Sequence, residues 1–208
     1  MKPYVITIAR QYGSGGKTVG KMLADKLGIP FYNREIITMA SEDSGVNAML
    51  FSDERLKGDF LTRLRAHYHG NTPAPNDSSK SYLKDEALFA YQVKIIRRLA
   101  DQGPCVMIGR CADYVLDGTE NLVRLFVYAE IEERINKVRE KGYFPEEDIL
   151  KNIKRIDRER RDYYRYYTGK SWENLENYDL MINTTKLSYD EMVECVIDYL
   201  KMRGLIAK

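Results

Sequence analysis

The sequence predicts an α/β fold in which a parallel β-sheet is covered by helices on both faces. Three observations lead there. Short apolar, β-branched runs alternate with helix-spaced segments, the pattern of strands joined by helical crossovers. A glycine-rich stretch, Gly13-Ser-Gly-Gly16, separates the first strand from the first helix, at the sheet edge where such folds bind ligands. The length, 208 residues with 44% hydrophobic content, suffices for one large domain with its own core.

The elements follow in order. Tyr4 to Ala9 (YVITIA) is a buried strand. Lys17 to Leu27 is a helix with Val19, Met22, Leu23 and Leu27 on one face and Gly28 as its stop. Ile29 to Tyr32 is a short strand; Arg34 to about Ser44 and Asp53 to His67 read as helices. The segment 69–81, HGNTPAPNDSSKS, lacks apolar periodicity and is rich in Pro, Asn, Ser and Gly, which predicts a flexible surface loop. Helical spacing returns from Tyr82 to Asp101. Cys105–Ile108 and Leu122–Val127 are strands, and Ile131, Ile135 and Val138 mark a helix ending at Gly142. A long basic helix covers about Pro145 to Tyr166, and Leu180–Ile182 is the last strand. Ser188 and Glu191 have capping-box spacing and open a final amphipathic helix through Val193, Val196, Ile197 and Leu200.

Composition narrows the function classes. The net charge of +2 among 31% charged residues argues against a nucleic-acid or membrane coat. Three cysteines without CxxC spacing fit neither structural zinc nor a disulfide frame and point to a reducing cytoplasm. No apolar run reaches the ~20 residues a membrane span requires, and the short apolar start does not make a signal peptide.

The stretch RQYGSGGKT, residues 10–18, approaches the phosphate-loop pattern G-x-x-x-x-G-K-[ST]. Gly13, Gly15 and Gly16 permit the turns that aim backbone N–H groups inward. Ser14 belongs to the same cradle. The following helix N-terminus adds unpaired N–H donors and the positive end of its dipole. Lys17 can reach β- and γ-phosphates, and the Thr18 hydroxyl can ligate Mg²⁺. Gln11 stands where the first glycine belongs, which is tolerable if its side chain points away. A plain strand-to-helix turn would explain the glycines but not the Lys-Thr pair.

The basic helix has seven Lys/Arg against three acids from Lys151 to Arg165. At 100° per residue, Ile149, Ile153 and Ile156 share a face within about 60°. Arg158, Asp162 and Arg165 fall on the opposite face, where Asp162 is placed to pair with Arg158. Arginines on such a face suit phosphoryl transfer, whose transition state spreads negative charge over equatorial oxygens. Tyr163, Tyr164, Tyr166 and Tyr167 beside Arg165 also admit base stacking, which the near-neutral charge disfavours.

ITIARQYGSGGKTVGKMLADKLGIPFYNREII resembles the opening of the cytidylate-kinase-like proteins, relatives of bacterial CMP kinase among the P-loop nucleoside monophosphate kinases. Gly109-Arg110, the run R-x-x-R-D-x-x-R from Arg158 to Arg165, and DLMINTTKLSYDEMV extend the resemblance nearly end to end. It implies a P-loop NTPase fold with a core of 1–32, 102–141 and 178–208, a helical acceptor-binding insert at 33–101, and an arginine-rich lid at 142–177. It implies transfer of the ATP γ-phosphoryl group to a nucleoside monophosphate with Mg²⁺. Lys17 and Thr18 would hold phosphates and metal, Arg110 the acceptor, and Arg158, Asp162 and Arg165 would close with the lid.

Three positions depart from CMP kinase. Ile108 replaces the aspartate of Asp-Gly-Arg, Tyr128 stands where an acceptor-site aspartate is usual, and Asn33 stands where many relatives carry Asp. The acceptor is therefore open between CMP and a similar small phosphate, and the alternative is a nucleotide-binding regulator without catalysis. Arg34 is a candidate acceptor contact or a surface ion pair. Asn33 is an acceptor contact or a helix cap. Asp113 would be the base if the acceptor were a hydroxyl, and Trp172 an anchor for the lid's return. His67 and His69 have no third ligand in view. The sequence leaves the oligomeric state open.

Overall fold

The computed structural model describes residues 3–45 and 78–207. Its elements are β1 (Val5–Arg10), α1 (Gly16–Leu27), β2 (Phe31–Tyr32), α2 (Glu35–Ser44), α3 (Ser78–Asp101), β3 (Cys105–Ile108), α4 (Ala112–Val115), β4 (Leu122–Tyr128), α5 (Ile131–Glu140), α6 (Ile149–Thr168), β5 (Leu180–Asn183) and α7 (Tyr189–Met202). The helix expected at 53–67, both histidines and most of the expected loop lie outside the described residues.

Among the described residues the sheet is parallel throughout, in the order β2-β3-β1-β4-β5. β1 is central because its run of β-branched residues pairs on both sides: Ile8 stands opposite Ile108 of β3 and Leu125 of β4. The chain leaves β1 toward β2 and β3 and later crosses to β4 and β5. The loop after β1 therefore sits at the switch point, where a crevice opens beyond the strand ends.

Alternation within the strands separates two cores. Ile6, Ile8, Val106, Ile108, Leu125 and Val127 meet Val19 and Leu23 of α1 and Met192, Val193 and Val196 of α7. Val5, Cys105 and Met107 face the other way, onto Ile36 and Ile37 of α2 and Leu88, Ile95 and Ile96 of α3. Each such aliphatic side chain, fully buried, contributes roughly 1.5–3 kcal/mol. The described helices of the 33–101 segment thus cover one face of the sheet rather than standing apart from it.

Local signals explain most boundaries. Gly28 ends α1 in the left-handed conformation (φ 64°), and the Ile29 N–H reaches back to the Ala24 carbonyl at 3.0 Å. Ser188 and Glu191 form the expected capping box. Several elements differ from the sequence reading. α3 begins at Ser78, inside the expected loop; a helix whose apolar face is already packed can extend through a polar turn that has no periodicity of its own. β2 is two residues rather than four, since Pro30 has no N–H to give the ladder. The short α4 has too few residues for a periodicity to show.

The basic segment forms a 3₁₀ turn at Glu146–Asp148 and then α6. Ile149 and Ile153 pack with Val138, Tyr12, Ile135 and Phe144, as the helical spacing predicts, while Ile156, expected on the same face, is half-buried and outside this cluster. Tyr164, near the other end, packs with Phe126, Trp172 and Tyr178. Trp172 is an anchor as expected: it meets Phe126 edge-on at 5.1 Å, and its carbonyl accepts the Tyr178 hydroxyl at 2.6 Å. No helix among the described residues is long and apolar enough to cross a membrane.

Candidate active site

The parallel register brings the strand carboxyl ends to one edge. There stand the 11–15 loop after β1, Asn33 after β2, Gly109-Arg110 after β3 and Tyr128 at the end of β4. Gly13 (φ 81°) and Gly15 (φ 83°) both take left-handed backbone. Side chains at either would also collide: a Cβ on Gly13 would lie 2.9 Å from the Arg134 carbonyl oxygen, and one on Gly15 would enter the Tyr189 ring.

Hydrogen-bond accounting explains the loop's shape. The Gln11 carbonyl accepts from the Ser14 N–H (3.3 Å) and the Ser14 hydroxyl (2.8 Å). The Ser14 carbonyl accepts from the buried Thr184 hydroxyl at 2.9 Å. These carbonyl dipoles are thereby occupied. Among the described residues, no acceptor engages the N–H groups of Gly13, Gly15, Gly16, Lys17 or Thr18. Donors bared in succession at a helix start form an anion nest. Gln11 does not fill it: its N–H bonds the Val127 carbonyl at 3.0 Å, and its side-chain oxygen accepts from the Ala129 N–H at 3.4 Å. Lys17 is exposed and Thr18 half-buried, both in the first turn of α1.

Helix α6 braces this loop. Asp157 Oδ1 accepts the Tyr12 N–H at 2.7 Å, while its other oxygen pairs with Arg134 of α5 at 2.8 Å. Arg160 Nη1 donates to the Arg10 carbonyl at 2.9 Å, and its guanidinium lies over the Tyr12 ring. Burial raises the Asp157 carboxyl above its ordinary value, against the opposing pull of the Tyr12 N–H, Arg134 and Arg160.

The turn after β3 is strained. Gly109, Arg110 and Cys111 take φ of 68°, 60° and 55° in succession. For the two non-glycine residues this costs roughly 1–2 kcal/mol each. A Cβ at Gly109 would collide with the Arg10 guanidinium, and one at Gly16 would lie 2.7 Å from Arg10 Cβ. Arg10 therefore runs across the edge from the start of α1 to the β3 turn. Asp113 follows this turn and is buried; its carboxylate accepts the Tyr164 hydroxyl at 2.7 Å. Burial raises the Asp113 carboxyl, and burial with that carboxylate raises the Tyr164 phenol, so Tyr164 is the donor. Ile108 packs into the core beside Gly20 of α1, which fixes the helix against the sheet.

The structure gathers Gly13 to Thr18, Asn33 and Arg110 at this edge. Arg34, exposed, occupies the cap position of α2 without a capping side-chain bond, so Asn33 is not that helix's cap. The Asn33 N–H donates to Glu35 Oε2 at 2.7 Å. Arg158 and Arg165 are exposed and Asp162 half-buried on the outer face of α6. Among the described residues no ion pair joins Arg158 to Asp162; Arg155 pairs with Glu159 at 2.6 Å instead. Sequence reasoning passed over Arg10, Arg134, Asp157, Arg160 and Thr184. A signal existed for Asp157 alone: it falls in the stripe of Ile149 and Ile153, where an acid demands a partner. Among the described residues no group of three His, Cys, Asp or Glu side chains could hold a metal.

A family model described as the cytidylate kinase-like family matches residues 5–186. Among solved structures, an uncharacterized protein from Eubacterium ventriosum is similar with a TM-score of 0.69 at 24% identity, over 95% of this chain and 98% of that one. Shikimate kinase from Bacteroides thetaiotaomicron is similar with a TM-score of 0.53 at 13% identity, over 95% of this chain and 98% of that one. No curated protein matches. At these identities the structural likeness speaks for the fold alone.

Proposed function

The chain belongs to the cytidylate kinase-like family, and from that premise we propose that it is a small-molecule kinase, transferring the γ-phosphoryl group of ATP to a phosphate acceptor of the nucleoside monophosphate class. The observation that carries this reading is the loop at the switch point, with its N–H groups bare from Gly15 to Thr18 and its carbonyls tied back to Ser14 and Thr184. A triphosphate tail is the ligand that such donors match in charge and spacing.

In this reading Gly13, Ser14, Gly15 and Gly16 cradle the phosphates, and Lys17 adds the charge that reaches the β- and γ-groups. Arg110, held in its strained turn, binds the acceptor phosphate, with Asn33 and Arg34 at the rim. Arg158 and Arg165, with Asp162, supply the lid charges. An acceptor oxygen already anionic attacks the γ-phosphorus. The bond from that phosphorus to the β,γ-bridging oxygen breaks, and ADP departs with the electron pair, so no side chain has to take a proton. Mg²⁺ bound with the nucleotide would neutralise β- and γ-oxygens. The Thr18 hydroxyl suits it, the remaining ligands being phosphate oxygens and water.

Tyr128 and Asn33, in place of acidic residues, favour an acceptor recognised without the carboxylates of a CMP site. The absence of a carboxylate at Ile108 favours a second reading, a nucleotide-binding regulator without turnover. An assay of ADP formation from ATP and Mg²⁺ against a panel of nucleoside monophosphates and other small phosphates separates the two. Acceptor-dependent ADP supports the kinase; tight ATP binding with no such product supports the regulator.

A further inference from the structure

We propose that Asp157 is a positioning residue for the phosphate loop: reaching from α6, it holds the Tyr12 N–H so that the nest is formed before a nucleotide arrives. This rests on the reading of the loop as an ATP site. The loop lacks the glycine that would open it, and both neighbours of Gln11 are held from α6 instead. The Arg10 carbonyl is held by Arg160 at 2.9 Å and the Tyr12 N–H by Asp157 at 2.7 Å. A side chain at position 11 is accommodated because the backbone on either side of it is fixed.

The clamp is rigid and electrically suited to its place. Asp157 and Arg134 pair at 2.8 Å, with side chains only 8% and 7% exposed, and the Arg134 carbonyl lies against Gly13. The loop's second and third residues therefore both meet residues of this pair, Tyr12 through the Asp157 carboxylate and Gly13 through the Arg134 backbone. A lone carboxylate beside an anion nest would repel phosphate. Here Arg134 and Arg160, the latter 3.8 Å from Asp157 Oδ1, leave the cluster with one net positive charge. α6 is anchored toward both ends, by Ile149 and Ile153 and by Tyr164. Moving Asp157 away from Tyr12 would mean unpacking those clusters, so the stretch of α6 around Asp157 holds the loop in place. The gain is preorganisation: the nucleotide need not order the loop it binds.

The test measures ATP·Mg²⁺ affinity by calorimetry for the wild type, Asp157→Asn and Asp157→Ala, with melting temperatures recorded alongside. Asparagine keeps an acceptor for Tyr12 and alanine does not. The expected result is an affinity within about threefold of wild type for Asp157→Asn and a loss of about tenfold or more for Asp157→Ala. Equal affinities in wild type and Asp157→Ala, with only the melting temperature lowered, would make the residue structural and overturn the proposal while the ATP site stands. An asparagine variant as weak as the alanine variant overturns it too. A wild type that binds no ATP removes the ATP-site reading and the proposal with it. If Asp157→Ala does not fold, amide exchange in the wild type decides: a Tyr12 N–H that exchanges slowly without nucleotide supports the clamp, and one protected only after ATP is added overturns it.

Discussion

The carboxylate of Asp113 accepts the hydroxyl hydrogen of Tyr164 at 2.7 Å, joining the strained turn after β3 to the C-terminal part of the arginine-bearing helix. Arg110 stands three residues before Asp113, so this buried bond ties the expected acceptor contact to the helix carrying Arg158 and Arg165. It also makes Asp113 a support of the turn rather than a base open to a substrate.

Asp113 gives a pH signature. Burial raises its carboxyl in the native state. Over the interval between the unfolded value, about 3.9, and the raised native value, the folded chain holds a proton that the unfolded chain has lost. Stability therefore falls as pH rises through that interval and levels off above it. Asp113→Asn keeps an acceptor for Tyr164 and removes the ionisation. Denaturant unfolding of the two proteins across the acid range should show a flatter profile for the variant; parallel profiles would contradict the assignment.

Lys17 and Arg158 are exposed, and the fold does not rest on either. Lys17→Ala and Arg158→Ala are each expected to lower turnover by roughly 10²–10³-fold, the scale of losing one charge stabiliser at the reacting phosphate. Melting temperatures should stay near wild type. Near-normal rates in both would remove these residues from the site.

Gly15 and Gly28 both take left-handed backbone, at φ 83° and 64°, but only Gly15 is crowded, by the Tyr189 ring. Gly28→Ala should cost roughly 1–2 kcal/mol from the backbone alone. Gly15→Ala should cost more, because the ring must also move. Equal losses in thermal or denaturant unfolding would show that Tyr189 does not support the loop.

Most of the scaffold was legible in the sequence because it depends on local chemistry. The β-branched run of β1, the stop at Gly28 and the Ser188–Glu191 capping box each announce themselves within a few residues. The facing of α6 was legible too, since Ile149 and Ile153 repeat at helical spacing. What braces the site was not. Asp157 meets Tyr12 across 145 positions of sequence, and Thr184 meets Ser14 across 170. Neither partner carries a pattern that names the other. Arg10 reads as the polar end of a strand until Gly109 shows the space kept for it.

Thr184→Val tests one of these long-range contacts. Valine keeps the shape but leaves the buried Ser14 carbonyl without its donor, which should cost about 1–3 kcal/mol of stability. ATP affinity should weaken as well, because that carbonyl is then free to turn toward the nest. Unchanged affinity and stability would mean the bond does not shape the loop.

The central claim is that backbone donors from residue 13 to residue 18 bind a triphosphate. An ATP·Mg²⁺ titration followed by backbone amide NMR tests it most directly. The amide resonances of Gly13, Gly15, Gly16, Lys17 and Thr18 should move together and saturate at one nucleotide per chain, ahead of those elsewhere in α1. If these signals stay in place while ATP is added to saturating levels, the loop is only a turn between strand and helix, and the phosphate site lies elsewhere or does not exist.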